Sequence, residues 1–246
     1  CPFFKDEGAS ADRMLAEITI LKSVHLFVQE QSEEIVSSLQ EVLQILPGSS
    51  LFARCTAIGW LAFHLQLLGQ EFEAIHLLNQ ELESGHQSPM YNARILLGLA
   101  NINRYAGKLN ELQVNAQSLL RLANEQSYGE FLAWGHYLLG VVAYEKNDLD
   151  NAYAHFRETS ILRYAAHFFT YRDAMIGFAL TCMAQGKIEQ AGGMIERLNE
   201  FSLEIGDRYV LATVRSFQAR MALAQGDLIK AKQCMPPLID GLQLIP

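Results

Sequence analysis

The sequence has few of the residues that interrupt helices and few of those that bind nucleic acid. Only 6 of the 246 residues are proline, and 19% of the residues are charged. Proline disrupts helix interiors, so its scarcity favours helix throughout the chain. The formal net charge is -8, whereas binding to a phosphate backbone requires clustered Lys and Arg. We therefore expect no direct nucleic-acid contact.

Paired cysteines and long apolar runs are also missing. The four cysteines, which are Cys1, Cys55, Cys182 and Cys234, include no CxxC pair. Isolated cysteines in helix-rich chains usually pack as small apolar side chains, so we expect no disulfide or metal and a cytoplasmic location. No apolar run reaches the ~18 residues of a membrane span, so no membrane partner is expected. Since the sequence lacks an initiator Met, we expect it to be part of a larger protein.

Catalytic signatures are absent from the sequence. None of the seven histidines has HExxH spacing, and neither a GxxxxGK[ST] phosphate loop nor a GxSxG motif occurs. His136 and His155 lie in the two helices of one predicted pair and could approach each other, but such histidines are more often core residues. We therefore predict that the chain is not an enzyme and uses no cofactor.

A turn-like residue recurs every 38 to 40 residues. The series is Gly69, Gly107, Asn147, Gly186 and Gly226, with Glu30 opening a weaker first copy. Gly and Asn suit the left-handed residue that ends a helix. Small residues stand seven positions before each turn, at Ser23, Ala62, Ala100, Gly140, Ala179 and Ala219. Five positions after each turn stand Ile35, Ala74, Leu112, Ala152, Ala191 and Ala231.

The small residues indicate where two antiparallel helices cross most closely. A single helix pair cannot bury its apolar face, so the copies must stack. We predict an all-α, right-handed superhelix (an α-solenoid) of about six antiparallel pairs. The spacing is typical of tetratricopeptide repeats rather than HEAT or armadillo repeats, although the period exceeds the usual ~34 residues. The predicted single repeat domain, 1–246, has copies at 10–47, 50–86, 88–126, 129–165, 168–206 and 207–242.

Four strings in the second half resemble a narrower family. They are "HYLLGVVAYEKNDLDNAYAHFRE", "LRYAAHFFTYRDAMIGFAL", "AQGKIEQA" and "FQARMALAQGDLIKA". They are similar to the repeat region of MalT-like regulators, which are ATP-dependent LuxR-family transcription activators. The resemblance covers about residues 10–235. It implies a parent with an N-terminal signalling NTPase, this helical sensor region and a C-terminal DNA-binding helix-turn-helix. This region would bind an inducer or a regulatory protein and signal to those two domains.

In stacked helix pairs the first helices line the concave face, which is the usual binding surface. Tetratricopeptide groove positions, carried onto this register, give Arg94, Asn101, Arg104, Tyr105, Trp134, Tyr137, Tyr144, Glu145, Asp173 and Arg220. Stacking is expected to bring Asn101 and Arg104 beside the strip of Trp134, Tyr137 and Tyr144. Flat aromatics with hydrogen-bonding groups suit small-ligand and peptide sites. Alternatively, the tyrosines only seal the junction between copies.

Two functions remain open. The first is a sensor domain of a MalT-like regulator, whose partner is a small-molecule inducer or a regulatory protein or peptide. The second is a general tetratricopeptide scaffold that binds a peptide or a partner helix and has no role in transcription. The groove positions of the first two copies are mostly apolar and indicate interior packing or a partner helix: Ile20, Val24, Phe27, Phe63 and Leu67. Self-association is a further open possibility.

Overall fold

We describe the protein from a computed structural model that covers residues 14, 17–20, 22, 32–46, 50–84, 88–206 and 208–234. In these ranges all regular secondary structure is helical, so the predicted all-α class is confirmed. The chain divides into two compact units, Cys1–Gln126 and Ser127–Pro246. The single 1–246 domain stays a prediction.

The described residues of unit 1 form the helices α1 (Ser32–Ile45), α2 (Leu51–Leu67), α3 (Glu71–Glu83), α4 (Pro89–Tyr105) and α5 (Leu109–Gln126). The start of α4 follows the sequence closely. Pro89 is in its first turn, and the Ser88 hydroxyl accepts a hydrogen bond from the backbone N–H of Tyr91 at 3.4 Å. A proline here costs no hydrogen bond and the serine satisfies a free N–H, so the two residues fix the helix start.

Unit 2 contains α6 (Gly129–Glu145), α7 (Leu149–Ile161), α8 (Phe168–Ala184), α9 (Ile188–Ile205) and α10 (Arg208–Ala224), and residues 228–234 are also helical. The start of α7 is capped by Asp148, whose carboxylate accepts a hydrogen bond from the backbone N–H of Asn151 at 3.3 Å. The "EKNDLDN" segment therefore ends one helix and starts the next.

The predicted turn residues adopt the left-handed conformation. The φ values are 76° at Gly69, 70° at Gly107, 58° at Asn147, 74° at Gly186 and 76° at Gly226. After Gly107, the backbone N–H of Lys108 donates to the carbonyl of Asn103 at 2.9 Å, which satisfies a carbonyl at the end of α4. Five of the six turns are therefore confirmed. The sixth, at Glu30, lies outside the described residues, as does the small residue Ser23.

The helices contact one another in a repeating pattern within each unit. The two helices of a pair pack together, as α2 with α3, α4 with α5, α6 with α7, and α8 with α9. The first helices of neighbouring pairs also touch, as α2 with α4, α6 with α8, and α8 with α10. A second helix packs on the next first helix, as α3 on α4 and α7 on α8. First helices thus form one layer of each unit and second helices the other.

Small residues stand where helices approach most closely. A Cβ atom at Gly140 in α6 would lie 2.7 Å from Cε1 of Phe156 in α7. A Cβ atom at Gly177 in α8 would lie 2.5 Å from Cζ of the same ring. The alanines predicted at such crossings are buried, namely Ala62, Ala74, Ala100, Ala152, Ala179, Ala191, Ala219 and Ala231. Larger side chains at the equivalent Ile35 and Leu112 are also fully buried.

A buried polar cluster joins three helices of unit 1. The guanidinium of Arg54 in α2 pairs with the Glu81 carboxylate in α3 at 2.6 Å. The Tyr91 hydroxyl in α4 donates to the same carboxylate. Burial, with the hydrogen bond to Glu81 next, raises the pKa of Tyr91 well above its ordinary value. This cluster was not predicted from the sequence, because its members share no motif and belong to two repeat copies.

Candidate functional site

Arg94, Asn101 and Arg104 lie along one face of α4. Their spacings of seven and three residues correspond to nearly whole helical turns, and all three side chains are half-buried. The side-chain amide of Asn101 donates to the carbonyl of Leu97 at 3.1 Å. Its side-chain oxygen accepts no hydrogen bond from the described residues. This face of α4 therefore presents two guanidinium groups and one amide acceptor.

Aromatic rings from α2 and from the end of α4 complete this surface. The Arg94 guanidinium lies 4.8 Å from the ring centre of Phe52, which is 67% exposed. The rings of Phe63 and Tyr105 are 5.9 Å apart, and Tyr105 is 57% exposed. Cations over aromatic faces attract the ring electrons, which holds both groups in place. We call the surface formed by Phe52, Phe63, Arg94, Asn101, Arg104 and Tyr105 the α2–α4 face.

Phe52 was not among the residues predicted from the sequence. It lies eleven residues before Phe63, which is about three helical turns, so the two residues share a face of α2. That spacing was the available signal.

Two apolar positions of the first copies differ in burial, since Ile20 is 4% exposed while Leu67 is 52% exposed. Val24 and Phe27 lie outside the described residues.

The aromatic strip of unit 2 is only partly exposed. Trp134 and Tyr137 make an edge-to-face contact with ring centres 5.8 Å apart. Tyr137 is only 4% exposed, and its ring lies 6.4 Å from that of Phe156. Tyr137 therefore packs in the core, because it faces α7, and it fixes the position of the half-buried Trp134. Tyr144 is half-buried and Glu145 is exposed.

The remaining predicted residues lie on α8 and α10. The Asp173 carboxylate accepts a hydrogen bond from Arg172 at 2.7 Å, and the Arg172 guanidinium lies 4.9 Å from the ring centre of Phe169. Arg220 is exposed on α10. Asn101 and Arg104 belong to unit 1 and Trp134 to unit 2, so their predicted juxtaposition stays a prediction.

His136 and His155 approach each other, as the sequence suggested. Their Nδ1 atoms are 3.1 Å apart, so one neutral ring donates the hydrogen bond that the other accepts. Burial lowers the pKa of both histidines, and each ring is half-buried. In the part of the chain that the structure covers, no group of three or more His, Cys, Asp or Glu side chains could hold a metal ion. The pair packs between α6 and α7.

Three cysteines, Cys55, Cys182 and Cys234, are buried free thiols. Burial raises the pKa of the Cys55 and Cys182 thiols, which disfavours the reactive thiolate. Cys1 lies outside the described residues.

None of the helices described above combines the length and apolar character needed to cross a membrane.

A family model for the MalT-like TPR region matches residues 16–238. The chain belongs to the MalT-like TPR region family. The resemblance drawn from the four sequence strings is thereby confirmed. No curated protein matches this MalT-like TPR region.

Solved structures resemble the MalT-like TPR region at low sequence identity. BtubC from P. vanneervenii has a TM-score of 0.64 and 15% identity, with 97% of this chain and 92% of that chain covered. A signal transduction ATPase with numerous domains (STAND) and a tetratricopeptide repeat sensor, from Pyrococcus horikoshii, has a TM-score of 0.68 and 14% identity. That match covers 95% of this chain and 37% of the longer protein.

A third similar structure is pilF of Pseudomonas aeruginosa, with a TM-score of 0.62 and 15% identity over 93% of this chain and 90% of that chain. At such identities the likeness shows the fold alone. The MalT-like TPR region is therefore a tetratricopeptide-like α-solenoid, as predicted from its turn spacing.

Proposed function

We propose that this chain is a non-enzymatic ligand-sensing and protein-interaction domain of a LuxR-family transcriptional regulator. A small-molecule inducer or a regulatory protein binds its first-helix layer, and the event is relayed to NTPase and helix-turn-helix domains of the same parent chain. Membership of the MalT-like TPR region family supports this role. The STAND protein whose fold is similar also carries its tetratricopeptide sensor beside an ATPase.

The α2–α4 face is the observation that carries the proposal. It offers two largely exposed rings, Phe52 and Tyr105, next to the guanidinium groups of Arg94 and Arg104. A ligand with a flat apolar part and carbonyl, carboxylate or phosphate oxygens would match both features. Because α2 and α4 belong to neighbouring pairs, one ligand would contact two repeats at once.

Contact with two repeats suggests how binding is relayed. A ligand that bridges α2 and α4 favours the packing angle of the two pairs at which both contacts are made. The equilibrium of the parent shifts only by the difference in affinity of the ligand for the two arrangements. Loss of the ligand contacts with either α2 or α4 should therefore weaken the affinity for the ligand and also the effect of binding on the parent protein.

A thermal-shift screen with metabolites and peptides tests the proposal, because a ligand that binds only the folded state raises its Tm. For a ligand found in this way, we expect Arg94→Ala to weaken binding by about 1–3 kcal/mol through loss of a charged hydrogen bond. The control is Arg121→Ala on α5, whose side chain is exposed and hydrogen-bonds Ser118. Normal binding by folded Arg94→Ala, Asn101→Ala and Phe52→Ala variants would place recognition elsewhere.

A general tetratricopeptide scaffold is the second candidate function. It is favoured by exposed apolar residues on and just after α2, namely Phe52, Leu67 and Leu68, which suit the apolar side of a partner helix. The two candidates differ in what surrounds the domain in its gene. A phosphate loop upstream and a helix-turn-helix downstream support the regulator, and their absence from the full gene supports the scaffold.

A further inference from the structure

A groove of about 500 Å³ runs between the second helices α3 and α5 of unit 1. Both helices pack against α4, which forms the floor. Leu99 and Asn103 come from the floor, while Ile75 and Asn79 come from α3. The groove lies on the side of α4 away from the α2–α4 face, because Asn103 is rotated by about 200° from Asn101 on the helix. It is therefore separate from the site of the proposed function.

Asn103 is an exceptional residue for its position. It is 4% exposed and lines the groove, and its side-chain amide makes no hydrogen bond with the described residues. At the position four residues before the turn, all five of the other copies have an apolar residue, namely Leu26, Leu65, Ala143, Cys182 and Ala222. Although the residue as a whole is buried, its side-chain N and O atoms remain accessible from the groove. The third copy thus has an unpaired carboxamide where the repeat normally places a core side chain.

The groove combines amide and apolar side chains. Three apolar side chains, Ile75, Leu99 and Val114, are interspersed with four asparagines, Asn79, Asn103, Asn110 and Asn115. The two charged residues have opposite signs, and Lys108 forms an ion pair with Glu71. The lining residues therefore include no unpaired cation, and the groove is partly apolar and rich in carboxamides.

We propose that this groove binds an uncharged, extended peptide segment whose backbone amides hydrogen-bond with Asn103 and the neighbouring asparagines. A carboxamide has the donors, the acceptor and the planar geometry to pair with both the N–H and the C=O of a peptide group. Ile75 and Val114 supply apolar contacts for alternate side chains of the segment. An anionic ligand would require a free cation, and the lysine of the groove is already paired with Glu71.

NMR of the ¹⁵N-labelled 246-residue chain tests this inference, because asparagine side-chain NH₂ groups give their own signals. The signals of Asn103 and Asn115 are identified by their loss in the Asn103→Leu and Asn115→Leu variants. The probe is a pool of acetylated, amidated hexapeptides built from Ala, Val, Leu, Ser and Thr. We expect it to shift both signals in a saturable manner. Sucrose and inorganic phosphate serve as neutral non-peptide and anionic probes, and neither should shift them.

The Asn103→Leu variant separates a binding role from a structural one. Leu65 occupies the equivalent position in the preceding copy, so leucine should be accommodated and the Tm should stay unchanged or rise. Peptide affinity should fall at least tenfold. Asn103→Ala, which copies the alanine at Ala143 of the fourth copy, provides the same test if leucine does not fit. The matched control is Asn124→Leu on α5, whose asparagine is exposed and bonds Leu120, and it should bind normally.

Three results would overturn the inference. The first is that no probe, or only sucrose or phosphate, shifts the two signals. The second is that folded Asn103→Leu and Asn103→Ala variants bind the peptides as tightly as the wild-type chain. The third is that Asn124→Leu loses binding to the same extent, since the effect would then not come from the groove.

Discussion

The ring of Phe156 occupies the space into which a side chain at Gly140 would extend, 2.7 Å from the position of its Cβ. Phe156 is 1% exposed, and on its other side Cζ of the same ring lies 2.5 Å from the position of a Cβ at Gly177. The absence of a side chain at residue 140 is thus what allows α6 and α7 to approach each other.

We therefore expect Gly140→Leu to lower the free energy of unfolding by about 1–3 kcal/mol, because overpacking forces the crossed helices apart. Ala179→Leu should act in the same direction, since Ala179 is 1% exposed at the equivalent crossing. Urea denaturation measures both effects. The control is Gly193→Ala on α9, where an added Cβ meets no atom within 4 Å and should stabilise the helix by up to ~1 kcal/mol. Unchanged stability in both leucine variants would contradict the crossing.

The buried polar cluster of Arg54, Glu81 and Tyr91 provides a second prediction. Tyr91→Phe removes one hydrogen bond to a buried carboxylate, and we expect it to cost about 1–2 kcal/mol of unfolding free energy. Tyr164→Phe is the matched control, because Tyr164 is 88% exposed and should change stability by less than ~0.5 kcal/mol. Equal effects of the two substitutions in urea denaturation would show that the hydroxyl of Tyr91 contributes nothing.

The histidine pair predicts how stability depends on pH. Because burial lowers the pKa of His136 and His155 in the folded chain, the unfolded chain binds protons more readily. The contribution of the pair to the free energy of unfolding is complete above the ordinary histidine pKa of ~6.5. It is lost as the pH falls through the lowered pKa values of the folded chain. Glu158 faces both rings and Asp148 faces His155; these carboxylates oppose the effect without reversing it.

We thus expect the Tm to fall between pH 7 and pH 5, and to fall less in a His136→Gln/His155→Gln variant. Thermal unfolding across this pH range measures the difference. The control is His76→Gln, at an exposed histidine stacked on Phe72, which should keep the wild-type slope. An identical slope in the double variant would contradict the role of the pair.

Asn147 tests the turn geometry. At a φ of 58°, an alanine would place its Cβ against the following carbonyl at a cost of about 1–2 kcal/mol. Asn147→Ala should therefore lower the unfolding free energy, whereas Asn147→Gly should leave it unchanged or raise it. Chemical denaturation of the two variants checks the order. Equal stability of the two would mean that the left-handed conformation is not required there.

The fold features that the sequence predicted depend on local geometry. A residue with a positive φ is usually Gly or Asn, and this preference depends only on the local backbone. Gly107 and Asn147 could therefore be predicted as turn residues without knowledge of distant contacts. Small residues at fixed distances from the turns at Gly69, Gly107, Asn147, Gly186 and Gly226 follow from the closest crossing of two helices, which recurs from one described copy to the next. The regular period thus determines the turns, the helix pairs and the buried positions between them.

The candidate sites were harder to predict because they depend on the rotation of each helix against its neighbours. Trp134 and Tyr137 are one turn apart and were assigned to one strip, yet Trp134 is half-buried while Tyr137 is buried in the core. The pairing of Arg54 with Glu81 joins residues 27 positions apart, and no period indicates it. Asn103 could have been found, because its position in the repeat is apolar in all other copies.

Within each unit, a helix contacts its own partner and the helices of adjacent pairs. Contacts of this kind connect residues that are near in sequence, so little loop entropy is lost as each pair forms. Folding can then begin at any pair and spread to its neighbours. Unfolding can also proceed pair by pair, and a weakened pair in the middle of a unit would divide it into segments that melt separately.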